Sequence, residues 1–172
     1  MKIGILGPSK VNDLEKINPS ARQIISEVIG YLTEQEIYLT PDKGSVSEFF
    51  AQEYLNQGGE KLFSVIPMDD KEFGFDWVNS SLGEKINCEI WRNQPEKLNE
   101  ETEALICLGY STGVLTEIAY SKWFPKGKPT KPIYIIKELI SKELPSEAIK
   151  KLNIKYISYK DLEKMFPGAV SV

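Results

Sequence analysis

Ala104-Leu105-Ile106-Cys107-Leu108-Gly109-Tyr110-Ser111-Thr112-Gly113-Val114-Leu115-Thr116-Glu117-Ile118-Ala119 reads as a buried strand, a tight loop of small residues and the start of a helix. The apolar run Ala104 to Leu108 has the length and continuity of a strand covered on both faces, as parallel sheets require. Gly109 and Gly113 permit backbone angles and close approaches that other residues resist, while Leu115, Ile118 and Ala119 recur at helical spacing. A strand that feeds a helix through such a loop gathers free backbone N–H groups around one small cavity, an arrangement suited to phosphate or another anion. Glycines there also serve as plain turn residues, and the pattern alone leaves both uses open.

Outward from this stretch the chain repeats the same alternation. Lys2 to Leu6 is a strand closed by Gly7-Pro8-Ser9; Gly7 sits where a first βα loop starts, which makes Pro8, Ser9 and Lys10 candidate ligand-loop residues. Asn12 to Asn18 is polar and reads as loop. Ser20 with Gln23 forms a capping-box pattern ahead of Ile24, Ile25, Val28, Ile29 and Leu32, an amphipathic helix. Ile37 to Thr40 is a short strand, Gly44 belongs to a turn, and Ser45 with Glu48 opens a second capped helix running to about Asn56. Leu62 to Ile66 is the third strand. Strands alternating with helices predict a parallel sheet with right-handed crossovers.

Met68 to Asn87 is irregular, with Asp69-Asp70 and the aromatic cluster Phe73-Gly74-Phe75-Asp76-Trp77, either a lid or wall for a ring or a satellite of the core. Cys88 to Trp91 is a short strand or bend, and Glu96 to Glu103 a charged helix. Pro125 to Pro129 is a turn, Ile133 to Ile136 and Ile154 to Ile157 are strands, and a short helix closes the chain around Leu162 to Phe166. The expected architecture is an α/β, Rossmann-like three-layer domain, with a mainly parallel sheet and helices on both faces, spanning 1–172 as a single domain.

The 172 residues suffice for one well-buried core. A net charge of -4 argues against bulk nucleic-acid binding. No stretch is long enough to span a bilayer, and Met1 to Gly7 reads as a strand, not a leader. Cys88 and Cys107 form no metal-spaced motif, so a reduced cytoplasmic setting and no metal are expected. Histidine is absent, which removes imidazole acid–base work and His-ligated metals.

The run Gly109-Tyr110-Ser111-Thr112-Gly113-Val114-Leu115-Thr116-Glu117 resembles the phosphate-loop hallmark of the lysine-decarboxylase-like family, which includes the cytokinin-activating phosphoribohydrolases; DNA-processing protein A belongs to the same wider superfamily. Gly109, Gly113, Leu115 and Glu117 match the anchors; Tyr110, Ser111 and Val114 stand where the family has two glycines and a threonine. Arg92-Asn93 matches the family's upstream arginine pair. The resemblance implies a nucleoside 5'-monophosphate phosphoribohydrolase-like N-glycosidase without a cofactor, with Glu117 and Arg92 as catalytic residues. Glu117 would act as an anion against the positive charge that develops on the sugar, since a helix N-terminus lowers a carboxylate's pKa. Arg92 would hold phosphate or pair with Glu117. Gly7, Ser9, Gly44, Ser45, Gly109, Tyr110, Ser111, Thr112 and Gly113 would line the ligand loops. Tyr110 either stacks on a base or plugs the pocket, and Ser45, Ser111 and Thr112 serve equally as helix caps. The altered glycines motivate a second reading, a non-catalytic nucleotide or sugar-phosphate binding or sensing protein; nucleoside deoxyribosyl transfer is a third. The family also implies a homodimer, for which Tyr120, Trp123 and Phe124 supply an apolar patch.

Overall fold

The computed structural model describes residues 1–123 and 129–167. Seven strands form one sheet: β1 (Lys2–Leu6), β2 (Glu36–Leu39), β3 (Leu62–Ile66), β4 (Glu84–Asn87), β5 (Ala104–Cys107), β6 (Pro132–Ile136) and β7 (Asn153–Ile157). The helices are α1 (Val11–Ile17), α2 (Ala21–Gly30), α3 (Val46–Asn56), α4 (Gln94–Glu101), α5 (Thr112–Tyr120) and α6 (Leu162–Met165). The strand order is β4-β3-β2-β1-β5-β6-β7, and every pair of neighbouring strands is parallel.

Two apolar layers flank the sheet because successive strand residues point to opposite faces. Ile3, Ile5, Ile37, Leu39 and Ile106 pack with Val11, Leu14, Ile25, Ile29, Phe50 and Leu162, under α1, α2, α3 and α6. Leu6, Tyr38, Val65, Leu105 and Cys107 pack with Leu98, Val114 and Ile118, under α4 and α5. The Rossmann-like, three-layer expectation holds, with a sheet that is fully rather than mainly parallel among its named strands.

Three local readings are corrected. The segment read as loop after Lys10 is helical, since Val11 and Leu14 bury one side of α1 against the core. The capping box at Ser20 does not form: Ser20 makes no side-chain cap bond, and Gln23 turns to Glu27. β4 lies inside the stretch read as irregular; its residues are mostly exposed at the sheet's edge, so it carries no apolar run to betray it. Of the turn expected at Pro125 to Pro129, all but Pro129 lies outside the described residues, as does Phe124.

The switch point lies at β1, where the chain leaves toward β2 on one side and β5 enters on the other. Loops beyond the carboxyl ends of β1, β2 and β5 therefore converge on one crevice. Val46 N–H donates to the Pro8 carbonyl and Val11 N–H to the Gly44 carbonyl, both at 3.1 Å, which ties the first loop to the second. A Cβ on Gly7 would lie 2.5 Å from Val46 Cγ1, so the loop after β1 reaches the start of α3 only because this residue has no side chain.

Candidate functional site

The crevice is a cavity of about 460 Å³. The loop after β1 contributes Gly7 and Ser9, and the loop after β2 contributes Thr40 and Asp42. Ser45 and Ser47 come from the start of α3, Trp91, Gln94 and Pro95 from the approach to α4, and Ser111 to Val114, Thr116 and Glu117 from α5.

Both helix starts are capped by serine. Ser45 Oγ accepts from Glu48 N–H at 3.1 Å, and Ser111 Oγ accepts from Val114 N–H at 3.2 Å. The capping box at Ser45 is only half made, because Glu48 reaches past it to the Gly44 N–H. The caps satisfy one orphan donor on each helix and leave others. Among the described residues, the N–H groups of Ser47, Thr112 and Gly113 have no protein acceptor. They sit at the positive ends of two helix dipoles and on residues that line one cavity.

Acidic groups occupy the same cavity. Glu117 stands four residues, just over one turn, beyond Gly113, and among the described residues its side chain has one hydrogen-bond partner, Gln94, whose Nε2 donates to Oε2 at 3.4 Å and to Thr40 Oγ1 at 2.9 Å. Burial pushes the Glu117 carboxyl up to about 8, against the lowering by Gln94 and with a further rise from Asp42. The expectation that the helix N-terminus would keep Glu117 ionised is therefore corrected: desolvation outweighs the dipole. Burial likewise pushes Asp42 up to about 6, and its Oδ1 is buried without a hydrogen-bond partner.

Of the residues expected in the site, Gly7, Ser9, Ser45, Ser111, Thr112, Gly113 and Glu117 are brought together, and Gly44, Gly109, Tyr110 and Arg92 are not among the lining residues. Gly109 has a φ of +117°, and a Cβ there would lie 2.4 Å from Leu14 Cδ2, so it shapes the loop rather than meeting a ligand. Tyr110 packs with Ile140, Leu144 and Tyr156 against the α4–α5 core layer, so it neither stacks in nor plugs the cavity. Arg92 is held by Glu72 at 2.8 Å, with its side chain 66% exposed, and does not pair with Glu117. Asp42, Gln94, Thr40, Ser47 and Trp91 were not foreseen. The signal for Thr40 and Asp42 was their place immediately after a strand at the carboxyl edge.

Trp91 walls one side of the cavity, and the aromatic loop backs it. Trp77 stacks on Trp91 with ring centroids 5.3 Å apart, and Trp91 Nε1 donates to the Gly74 carbonyl at 2.7 Å. Asp70 fixes this arrangement by accepting from the N–H groups of Glu72, Phe73 and Trp91, which hold its carboxyl below the usual range. A wider cavity of about 890 Å³ opens at the amino ends of the strands, around Lys2, Thr102, Trp123 and Lys131. Its half-buried cation is already committed: Lys131 Nζ donates to the Asn99 backbone carbonyl, to Asn99 Oδ1 and to Thr102 Oγ1 near the end of α4. No group of three or more carboxylates or thiols among the described residues is placed to hold a metal ion.

These features define an α/β protein with an anion-receptive crevice at the sheet's switch point. Solved structures share this fold across nearly the whole chain. The molybdenum cofactor binding protein of the phototrophic bacterium Rippkaea orientalis superposes with a TM-score of 0.66 at 14% identity, over 95% of this chain and 93% of its own. The Moco carrier protein of Chlamydomonas reinhardtii gives 0.57 at 16% identity, over 96% and 81%. TM1055, a structural-genomics target, gives 0.63 at 14%, over 95% and 96%. No protein-family model matches the chain, and no curated relative matches it.

The resemblance to the lysine-decarboxylase-like family is corrected by these neighbours, two of which are named as molybdenum-cofactor binding or carrier proteins and none as phosphoribohydrolases. The hydrolase reading goes with it. Its two catalytic residues are not joined in the structure: Arg92 is turned to Glu72, and Glu117 is largely neutral at pH 7 and supplies no anion for a developing positive charge.

Proposed function

We propose that this chain is a non-catalytic binding protein whose switch-point cavity takes a phosphate-bearing small molecule of nucleotide or sugar-phosphate type. One observation carries the reading: the unclaimed N–H groups of Ser47, Thr112 and Gly113 belong to two helix starts that open on the same cavity. Gly7, Ser9, Ser45 and Ser111 line the phosphate end. Trp91, backed by Trp77, offers a planar wall for a ring. The neighbours named as binding and carrier proteins support a binder over an enzyme, and they add the molybdenum cofactor to the ligands worth testing.

The cavity serves one ligand per chain, with the whole chain acting as one domain. No helix among the described residues is long and apolar enough to cross a membrane. The two cysteines are free and buried, which suits a reducing cytoplasmic setting. A net charge of -4 disfavours nucleic acid as a partner. Leu115 on the outer face of α5 is exposed, as is Trp123 just beyond the helix with Lys122 over its ring, and we assign this face to pairing with a second copy.

The test is calorimetry at pH 6.5 with AMP, other nucleoside monophosphates, ribose 5-phosphate, inorganic phosphate and molybdenum cofactor released from a donor protein, with product analysis of the same samples. The expected result is saturable binding of at least one, with every nucleotide recovered intact. Failure of all to bind, or release of free base, overturns the proposal.

A further inference from the structure

An anion cavity that carries two carboxyl groups poses an electrostatic conflict, and no cation among the described residues settles it. Among the described residues no ion pair includes Glu117 or Asp42. The groups facing Glu117 can be taken element by element. From α4 come Gln94, a neutral amide shared with Thr40, and Asn99, whose amide donates to the Glu117 backbone carbonyl at 2.9 Å. From the loop after β2 comes Asp42, with one oxygen buried and unpartnered. From β5 comes Cys107, fully enclosed, whose thiol burial pushes up to about 12 and so keeps neutral. Two carboxylates in one uncompensated cavity do not both ionise near neutral pH; one keeps its proton.

Glu117 lies on the same helix as Thr112 and Gly113, and all three line the cavity. A protonated carboxyl there is a donor that adds to the backbone N–H groups, whereas an ionised one repels what they attract. We infer that Glu117 enters ligand binding as a neutral carboxylic acid: its O–H donates to an oxygen of the anionic ligand held at the starts of α3 and α5, and ionisation of that carboxyl expels the ligand. This rests on the binding reading above and deepens it by assigning the ligand's release to a single proton. The proton balance is simple: above the pH at which free Glu117 ionises, each ligand bound takes up one proton from solvent, and each ligand released returns it.

The experiment is calorimetric titration with AMP from pH 6.5 to 9.5, on the wild type and on Glu117→Gln. The phosphate of AMP is fully ionised over most of this range, its second ionisation lying near pH 6. With Glu117 ionising near 8, affinity in the wild type falls roughly tenfold between pH 7 and 9 and tends to one decade per pH unit beyond. Glu117→Gln, which keeps a neutral donor and has no carboxyl to ionise, shows a flat profile over the same range. A flat wild-type profile, or a Glu117→Gln profile that falls with pH as the wild type's does, overturns the inference and leaves the binding reading standing. A second measurement needs no ligand: carboxyl-carbon NMR of protein labelled at glutamate. A Glu117 resonance titrating near pH 8 supports the inference, and one titrating near its ordinary 4.5 overturns it. If no member of the panel named above binds at pH 6.5, the binding reading itself fails, and the inference with it.

Discussion

Glu117 also sets a pH dependence on folding that is separate from any ligand. In the unfolded chain its carboxyl ionises around 4.5, and in the folded protein burial delays this to about 8. Between those values the folded state holds a proton that the unfolded state has lost, so stability falls as pH rises from 4.5 to 8, and the full penalty stands above 8. Glu117→Gln removes the penalty. Discounted for the solvent that reaches the cavity, the gain at pH 9 is about 1–2 kcal/mol, a rise in Tm of roughly 3–6 °C, and it vanishes at pH 4. Thermal melts at the two pH values check this, and a gain that is equal at both would refute it. Gly109 makes a different demand. At φ +117° and with Leu14 against the place a Cβ would take, Gly109→Ala costs about 2–4 kcal/mol, read from urea unfolding with an unchanged m value.

At the level of elements, α5 lines the site and the loop 68–83 backs its Trp91 wall. Ser111→Ala removes the cap that holds Val114 N–H and opens the first turn of α5 to fraying. Its expected cost is about 1 kcal/mol in stability, together with weaker binding of any phosphate ligand found, both readable in one melt with and without that ligand. Asp70→Ala frees three backbone N–H groups at once. The amides of Glu72, Phe73 and Trp91 then exchange faster by an order of magnitude or more, while those of β1 and β5 keep their rates. Equal acceleration everywhere would mean that Asp70 supports the whole fold instead of the loop. The elements were unequally legible in the sequence. β5 and α5 announced themselves because an unbroken apolar run and a helical stripe meet at Gly109 to Gly113. β4 did not, since Glu84 to Asn87 lies on an exposed edge where polar residues serve. The site was half legible for a related reason. Residues in small-residue loops at strand ends were found, while Asp42 and Gln94 were not, because only the folded sheet brings the β2 loop and the start of α4 against α5.

For the whole molecule, the sheet order explains both the position of the cavity and the exposed outer face of α5. Leu115, 42% exposed, lies on the outer face of α5, and Trp123, 72% exposed, lies just beyond the end of that helix with Lys122 Nζ over its ring. Sedimentation equilibrium should show a dimer that Leu115→Arg converts to monomer without loss of helical signal; a wild type that stays monomeric at high concentration refutes the assignment. The parallel order was readable from the alternation of strands and helices, but which strand sits at the centre was not, since pairing of β1 with β5 leaves no mark in either segment alone. That pairing has a consequence for synthesis. β1 lies between β2 and β5, with Ile3 beside Ala104, so one side of the first strand made waits for a partner about 100 residues later. At ordinary translation rates the delay is roughly 5–20 s. During that interval the nascent chain exposes an unpaired, apolar strand edge, the kind of surface that chaperones shield and that aggregates when they are scarce. Ribosome-bound chains stalled before residue 104 should therefore be open to protease, and chains stalled well after α5 has emerged should resist it.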